Sequence, residues 1–324
     1  MKKNIAIVAG GNSSEVVVSL KSAAGLYSFM DKERYNVFIV TIVGKIWQVE
    51  LSDNEKIAID KNDFSFIQDD EKIIFDFAYI TIHGTPGENG ILQGYFELID
   101  LPYSCCGVLA AAVTFNKFTC NQYLKGFGVK VSESLVLRLG QTVSDEEVEV
   151  KIGFPCFVKP NVGGSSFGVT KVKTVEQLQP AIVKAFAEGD EVMIEAFMAG
   201  TEITCGIYKT KTKSQVLPVT EVVPKNEFFD FDAKYKGEVD EITPARISNS
   251  LTERVQQLTS AIYDILDCKG IVRIDYIISD GEVINLLEVN TTPGMTATSF
   301  IPQQVAAAGL DIKDVMTEII ENEL

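Results

Sequence analysis

The sequence predicts a mixed α+β protein of three lobes. Near its start, short apolar runs alternate with a helical pattern, which is typical of a βαβ unit. In its last third, two apolar runs flank Asp280-Gly281, a strong signal for a β-hairpin. The length of 324 residues corresponds to about two domains' worth of sequence and is ample for a buried core.

The first lobe is predicted to be of the βαβ type and to end near Pro102. Residues 4–9 form an apolar run that suits a buried parallel strand. Ser13 and Ser14 offer an N-cap for the helix that follows, whose apolar face runs from Val16 to Tyr27. Two further strands are predicted at 37–43 and 77–82.

The middle of the chain mixes helical and strand patterns. Thr174-Val-Glu-Gln177 has the pattern of a capping box, so we expect a helix from there to about Glu188. The other features predicted in this lobe are helical sequence near 106–126, a strand at 156–159, a glycine-rich loop at 161–168 and a strand at 191–197.

The last lobe is predicted to contain several strands, a long loop and the hairpin. Ser250-Leu-Thr-Glu253 is a second capping-box pattern and opens an amphipathic helix. The other predicted features are strands at 201–208 and 215–223, a loop at about 224–245, and helical sequence from about 299.

Composition and charge restrict the classes of partner. Apolar residues make up 46% of the chain and charged residues 23%, which is ordinary for a globular protein. The formal net charge of −16 argues against a binder of nucleic acid or anionic membranes, because phosphates and headgroups need a basic surface. The longest nearly uncharged stretch, residues 102–116, is too short to span a bilayer. We therefore expect no nucleic-acid partner and no membrane partner.

The cysteines indicate a reducing compartment. None of the six forms a CxxC or CxxH pair, which disfavours a zinc site and a disulfide framework. We expect reduced thiols in a cytoplasmic protein at Cys105, Cys106, Cys120, Cys156, Cys205 and Cys268.

The hairpin sets which side chains share a face. If Asp280-Gly281 is a two-residue loop, Asp275 lies opposite Leu286 and Arg273 lies opposite Glu288. Opposite residues share a face of the sheet, and so do residues two apart in one strand. Asp275 and Glu288 are then diagonal neighbours.

The shared face carries Arg273, Asp275, Glu288 and Asn290. Two carboxylates and an amide oxygen suit a hard divalent cation such as Mg²⁺. A solvated polar face with an Arg–Glu pair is the simpler alternative. The apolar strands, and the glycine-containing loop that follows Asn290, favour a ligand site.

Two further segments are candidates for ligand binding. The segment Lys159–Gly168 places a lysine at a strand end before three glycines and two serines, which suits a phosphate loop, although a plain turn is the alternative. The segment His83–Gly90 contains the single histidine of the chain, which is equally compatible with a structural and a catalytic role. Gly10–Glu15 lacks GxGxxG spacing, which disfavours a dinucleotide site.

Taken together, these segments resemble the D-alanine–D-alanine ligases of the ATP-grasp superfamily. Seven motifs occur in the order of that family: GGNSSE, HGTPGENG, KP followed by GGSSFGV, IEAFMAGTE, FFDFDAKY, RIDY and LEVNTTPGMT. The resemblance implies a three-lobed ATP-grasp fold with an α/β first domain and two α+β lobes that clamp ATP. The implied domains are 1–103 for substrate binding, 104–197 as the central lobe, and 198–324 as the C-terminal lobe with a lid loop at 224–245.

The resemblance also implies a reaction. One D-alanine carboxylate takes the γ-phosphoryl group of ATP, and the amine of a second D-alanine attacks the resulting acyl phosphate. The implied cofactors are ATP and Mg²⁺, with Mn²⁺ as a substitute, and the product serves peptidoglycan synthesis in the cytoplasm. A homodimer is a family expectation. The alternatives are a ligase for D-lactate or D-serine and a catalytically silent nucleotide-binding protein.

Site residues follow from the resemblance, position by position. The implied metal ligands are Asp275, Glu288 and Asn290. The implied ATP contacts are Lys117, Lys159, Ser166, Glu195, Phe197, Met198, Glu202, Phe228 and Lys234. Glu15 and His83 would meet the first D-alanine, and Ser299 and Phe300 the second. Arg273 and the Gly294 N–H would stabilise the oxyanion, and Ser165, Tyr235 and Glu15 would form a hydrogen-bonded set that holds the lid closed.

Overall fold

The computed structural model describes residues 2–52, 55–164, 167–224 and 239–324. Three sheets of four to six strands organise this part of the chain, together with one two-stranded ribbon. Within it, no helix has the length and apolar character needed to cross a membrane. All six cysteines are buried free thiols.

In the first sheet, the first strand of the chain is buried along most of its length and lies between two parallel strands. Its elements are β1 (Lys3–Gly10), α1 (Val16–Phe29), β2 (Tyr35–Val43), β3 (Ile46–Ser52), β4 (Glu55–Ala58) and β7 (Phe77–Ile80). The strand order is β4-β3-β2-β1-β7, with β1 parallel to both β2 and β7. The βαβ prediction is confirmed, because α1 connects two parallel strands.

Other elements of the first lobe depart from the sequence prediction. Strands β3 and β4, and the ribbon of β5 (Phe66–Gln68) and β6 (Glu71–Ile73), were not predicted. The predicted serine N-cap is wrong. Glu15 occupies the cap position of α1, and Ser13 Oγ instead accepts a bond from the Glu15 N–H at 3.2 Å. Helix α2 (Ile91–Leu98) completes the lobe.

The second sheet is antiparallel, in the order β10-β9-β11-β8. Its strands and the helices around it are α3 (Val108–Phe115), α4 (Lys117–Lys125), β8 (Ser134–Arg138), α5 (Asp145–Lys151), β9 (Cys156–Pro160), β10 (Thr170–Val172), α6 (Leu178–Phe186) and β11 (Glu191–Ala196). The strands predicted at 156–159 and 191–197 are confirmed.

Two helix starts in this lobe differ from the prediction. The helical sequence near 106–126 breaks at Asn116, whose side chain caps α4 by accepting from the Thr119 N–H at 2.9 Å. The capping box at Thr174 is wrong, because that side chain makes no cap hydrogen bond and a short 3-10 turn, Val175–Gln177, precedes α6.

The third sheet has six strands, five of them in the order β15-β14-β12-β16-β17, with β13 paired to β12. The elements of this lobe are β12 (Thr201–Lys209), β13 (Ser214–Val216), β14 (Thr220–Pro224), β15 (Val239–Ile242), α7 (Asn249–Ile265), β16 (Gly270–Ser279), β17 (Val283–Asn290), α8 (Phe300–Ala307) and α9 (Ile312–Glu323). Helix α9 contributes to the same buried apolar cluster as β1 and α1 of the first lobe.

Three sequence expectations are corrected here. The strand predicted at 215–223 is two short strands, β13 and β14. The loop predicted at 224–245 contains β15, which pairs with β14 in an antiparallel ladder. The capping box at Ser250 is wrong because α7 begins earlier, where Ser248 Oγ accepts from the Leu251 N–H.

The hairpin forms as predicted, but with a different register. Asp280 and Gly281 both adopt left-handed φ, at 50° and 74°, and Glu282 stays outside the ladder, so Ser279 pairs with Val283. An irregularity between Asp275 and Tyr276 then shifts the register once more.

The observed pairs are therefore Asp275 with Glu288 and Arg273 with Asn290. The predicted partners, Leu286 for Asp275 and Glu288 for Arg273, are wrong. One shift alone would have turned Glu288 to the other face of the sheet, because side chains alternate along a strand. Two successive shifts return Glu288 to the predicted face, so Arg273, Asp275, Glu288 and Asn290 still lie on the same side of the sheet.

Candidate functional site

A cavity of about 750 Å³ opens between the second and third sheets, next to the N-terminus of α1. That volume is typical of a small-molecule site. Most of the predicted residues that the structure describes line it: Glu15, Lys117, Lys159, Glu195, Phe197, Met198, Glu202, Arg273, Asp275, Glu288 and Phe300.

A hydrogen-bond network surrounds Asp275 on the hairpin. Its Oδ1 accepts from Thr204 Oγ1 at 2.6 Å and from Arg273 Nε at 2.9 Å. Its Oδ2 accepts from Arg273 Nη2 at 2.8 Å and from Asn290 Nδ2 at 3.1 Å. Asn290 Nδ2 also lies 3.4 Å from Glu288 Oε1. The carboxylate of Asp275 is thus held firmly in one orientation.

The donor set of this face suits a hard divalent cation. The Asn290 amide nitrogen bridges the two carboxylates, so it supplies positive character between Asp275 and Glu288. A half-turn of that amide presents its oxygen to the same place, which gives two carboxylates and an amide oxygen. Among the residues that the structure describes, no cluster of three or more His, Cys, Asp and Glu has metal-binding geometry, so the Asn290 amide oxygen would be the third protein ligand here.

Two lysines bring positive charge into the cavity. Lys159 Nζ lies 2.7 Å from Glu195 Oε2 in an almost fully buried pair. Lys117 Nζ donates to the carbonyl of Gly163 in the glycine-rich loop. Burial lowers the pKa of Lys117, and the Glu288 carboxylate offsets part of that shift. Both cations lie where an anionic ligand in the cavity would meet them.

One wall of the cavity is aromatic. The ring centroids of Phe157 and Phe197 are 5.9 Å apart, and Lys171 Nζ lies 3.8 Å from the centroid of Phe197. Glu195 Oε1 is buried and has no hydrogen-bond partner among the described residues. A flat ligand that donates an N–H would satisfy this oxygen while its ring packs on the aromatic wall.

Two segments that are distant in sequence converge on Glu15, which is only 5% exposed. A Cβ atom at Gly164 would lie 2.9 Å from Glu15 Oε1, and one at Gly84 would lie 3.9 Å from Oε2. The glycine-rich loop and the histidine segment therefore meet at the start of α1. The absence of a side chain at Gly164 makes the close approach of the glycine-rich loop to Glu15 possible.

The histidine segment holds two groups with displaced pKa values. Burial, together with the positive charge of Arg273, lowers the pKa of His83 to about 4, so its ring is neutral at pH 7. Burial and the Glu15 carboxylate raise the pKa of Glu88 to about 8. Glu88 Oε2 accepts from the Gly84 N–H at 2.6 Å.

The segment after the hairpin returns to the same place. A Cβ atom at Gly294 would lie 3.0 Å from Ser299 Oγ, so these two residues are adjacent. The Arg273 guanidinium carbon lies 5.2 Å from the centroid of the Phe300 ring. Gly294, Ser299 and Phe300 thus gather beside Arg273.

Five predicted site residues lie outside the described part of the chain. They are Ser165, Ser166, Phe228, Lys234 and Tyr235. The predicted hydrogen-bonded set of Ser165, Tyr235 and Glu15 is therefore represented only by Glu15.

Sequence reasoning missed two residues of the site. Thr204 donates the shortest of the bonds to Asp275, but its position depends on the register between β12 and β16. Glu88 belongs to the HGTPGENG motif, and an acidic residue between glycines next to the single histidine was a usable signal.

Models of two protein families match the chain. The model described as "D-ala D-ala ligase N-terminus" matches residues 4–106, and the one described as "D-ala D-ala ligase C-terminus" matches residues 123–321. Together they cover most of the sequence.

Curated relatives carry the same name along their full length. The chain is 74% identical over 323 residues to the D-alanine–D-alanine ligase of Bacteroides fragilis, with 100% of both chains covered. It is 72% identical to that of Phocaeicola vulgatus, again with 100% of both chains covered. It is 54% identical to that of Porphyromonas gingivalis, over 100% of this chain and 99% of the relative.

Solved structures agree in fold. The VanG D-Ala:D-Ser ligase of Enterococcus faecalis gives a TM-score of 0.88 at 28% identity, with 100% of both chains covered. The D-alanyl-alanine synthetase A of Vibrio cholerae gives 0.88 at 27% identity, covering 99% and 98%. The D-alanine–D-alanine ligase of Bacillus anthracis, complexed with ATP, gives 0.77 at 28% identity, covering 99% and 96%.

Proposed function

The chain belongs to the D-alanine–D-alanine ligase family, as its motifs predicted, and we propose that it joins two D-alanines in an ATP- and Mg²⁺-dependent reaction. The observation that carries this proposal is one cavity that holds the Arg273, Asp275, Glu288 and Asn290 face together with two lysines. Phosphoryl transfer needs positive charge around the phosphoryl oxygens rather than a protein nucleophile. Lys117, Lys159 and Arg273 supply part of that charge, and the carboxylates of the hairpin face would hold the Mg²⁺ that supplies the rest.

The proposed chemistry has two steps. The carboxylate of the first D-alanine takes the γ-phosphoryl group of ATP, which leaves ADP and an acyl phosphate. The amine of the second D-alanine then attacks the acyl carbon, the C–O bond to phosphate breaks, and the amine loses a proton. Phosphorylation is needed because a carboxylate is a poor electrophile at neutral pH.

Each group of side chains has a role in this proposal. Mg²⁺, held by Asp275, Glu288 and Asn290, would neutralise negative charge on the phosphates. Lys117 and Lys159 would bind phosphate oxygens. The aromatic wall and Glu195 Oε1 fit the adenine ring and its amino group, and Glu202 fits the ribose hydroxyls.

The substrates would meet at the other end of the cavity. Glu15 would bind the ammonium group of the first D-alanine, beside His83. Ser299 and Phe300 would hold the second D-alanine. Arg273 and the Gly294 N–H would stabilise the oxyanion that forms when the amine attacks.

The acceptor preference of the family separates the proposal from its alternatives. Relatives that are 54–74% identical to this chain are named D-alanine–D-alanine ligases, whereas the D-Ala:D-Ser ligase is 28% identical. A D-lactate or D-serine acceptor is therefore not favoured. The cellular location that we propose is the cytoplasm, where ATP is available. The domain boundaries at residues 103 and 197 remain predictions, and so does the homodimer.

A product assay tests this function. Purified protein is given MgATP with D-alanine, D-lactate and D-serine together, and phosphate release and products are measured. The expected result is D-alanyl-D-alanine with D-alanine-dependent phosphate release. Lys159→Gln should abolish most of this activity, and Lys209→Gln, at a lysine paired with Asp264 on the surface, should preserve it. Phosphate release that is independent of D-alanine would contradict the proposal.

A further inference from the structure

A buried serine of α1 links the histidine to the loop that carries Gly294. Ser22 is fully buried, and its Oγ lies 3.5 Å from His83 Nε2. The same oxygen accepts from the Met295 N–H at 3.3 Å. Ser22 therefore touches both the residue proposed to meet the first D-alanine and the neighbour of the proposed oxyanion donor.

The contact between α1 and this loop is close. A Cβ atom at Gly25 would lie 2.2 Å from the carbonyl oxygen of Met295, so only a glycine fits there. Ser22 and Gly25 are three residues apart and share one face of the helix. The backbone at 294–296 packs closely against that face of α1.

Hydrogen-bond accounting sets the direction of the bond to the ring. A hydroxyl has one proton and two acceptor lone pairs. The Met295 N–H uses one lone pair of Ser22, and a protonated Nε2 would use the other and leave the buried hydroxyl proton without an acceptor among the described residues. His83 Nε2 is the acceptor that the described structure offers to that proton. A ring nitrogen that accepts carries no proton, so the ring proton belongs on Nδ1.

We propose that Ser22 is a positioning residue that fixes His83 as the tautomer protonated at Nδ1 and holds the Gly294–Met295 segment in register with it. This inference rests on the proposed function, because it assigns His83 Nδ1 as a neutral N–H donor toward the first D-alanine. The ring is neutral at pH 7, so tautomer choice alone decides which nitrogen donates.

The first test is spectroscopic and needs no substrate. Because the chain has a single histidine, ¹⁵N labelling of histidine gives one pair of ring signals. At pH 7, long-range ¹H–¹⁵N correlations should show Nδ1 protonated and Nε2 unprotonated in the wild-type protein. An Nε2-protonated ring would overturn the inference even if the protein is an active ligase.

The second test uses variants of α1. In Ser22→Ala the ring should become a mixture of tautomers, and the KM for the first D-alanine should rise about 3- to 10-fold, as expected for one lost neutral hydrogen bond. The KM for ATP should stay unchanged. Ser28→Ala is the matched control, because its exposed hydroxyl donates to the Gly25 carbonyl on the same helix and should alter neither readout.

The outcomes separate this inference from the proposed function. An unchanged tautomer, or an unchanged KM for the first D-alanine, in folded Ser22→Ala would refute the role of Ser22 while ligation by the wild type persists. If Ser22→Ala does not fold, the wild-type spectrum alone decides. A wild-type protein without ligase activity but with an Nδ1 proton would refute the function and not the tautomer.

Discussion

Replacing Glu288 by glutamine separates the metal role of the hairpin face from its structural role. In the described structure, the hydrogen bond between Asn290 Nδ2 and Glu288 Oε1 is long, at 3.4 Å. An amide at position 288 is nearly isosteric and keeps an oxygen for that contact. We therefore expect this substitution to lower the free energy of unfolding by less than about 1 kcal/mol, which is the usual net contribution of one hydrogen bond.

The catalytic loss should be much larger. Glu288→Gln removes one of the two negative charges proposed to hold Mg²⁺, and loss of one preorganised electrostatic element typically costs about 10²–10³ in rate, or about 2.7–4 kcal/mol. The change also removes a carboxylate that supports the charge on Lys117, whose pKa is already lowered by burial. The apparent affinity for Mg²⁺ should fall together with kcat.

Asp275→Asn provides the contrast. Asp275 accepts four hydrogen bonds, two of them from Arg273, and the side chains of this pair are only 10% and 15% exposed. Breaking a buried pair by removing one partner typically costs about 3–5 kcal/mol. This variant should therefore lose both stability and activity, whereas Glu288→Gln loses activity alone.

The assay combines thermal unfolding, dipeptide formation and a Mg²⁺ titration. Glu282→Gln is the matched control, because it removes an exposed carboxylate from the turn of the same hairpin. It should behave like the wild type in all three measurements. Near-normal ligation by a folded Glu288→Gln protein, at the wild-type Mg²⁺ requirement, would refute the assignment of the metal face.

Three further predictions address other parts of the cavity. Gly164→Ala should reduce ligation at least 10-fold with little change in unfolding temperature, because the new Cβ would lie 2.9 Å from Glu15 Oε1; steady-state kinetics and calorimetry check this. The pKa of His83 is about 4 in the folded protein and about 6.5 in the unfolded chain, so the unfolded chain takes up a proton first as the pH falls. Between pH 6.5 and 4 this should lower the free energy of unfolding by up to about 3 kcal/mol. In denaturant titrations, His83→Gln should lack that part of the pH dependence. Activity in excess Mg²⁺ should resist a zinc-selective chelator, because all six cysteines are buried thiols; a zinc-reversible loss would reveal another site.

The fold was predictable where burial leaves a strong periodic pattern. Strand β1 and the β16–β17 hairpin are long and apolar, and both were predicted from the sequence. Strands β4 to β6 have only three or four residues each and are largely exposed, so their sequences contain no apolar run that would predict a strand. Strand β4 pairs with β3, and β5 and β6 pair with each other, and a local sequence pattern does not record such pairing.

The polar face of the β16–β17 hairpin shows which features a local sequence pattern predicts and which it does not. Arg273, Asp275, Glu288 and Asn290 share one face as predicted, although the predicted register was wrong, because Glu282 and the irregularity at Asp275 each shift the pairing by one residue. Side chains alternate between the two faces of a strand, so a total shift of two residues leaves each one on its predicted face. The face was therefore predictable, but the cross-strand partners were not. Thr204 depends on a pairing across 71 residues and could not be found without the sheet.

The convergence on Glu15 follows from the order of the sheets rather than from any one motif. Glu15 ends the loop after β1, Gly84 follows β7, and β1 and β7 are parallel neighbours, so both loops leave the same edge of the first sheet. The glycine-rich loop comes from the second sheet and reaches that edge at Gly164, where a side chain would collide with the carboxylate. The hairpin then supplies the opposite wall through Asp275 and Glu288. Each lobe thus contributes one incomplete set of groups, and a reaction that needs all of them can proceed only when the lobes are assembled around the cavity.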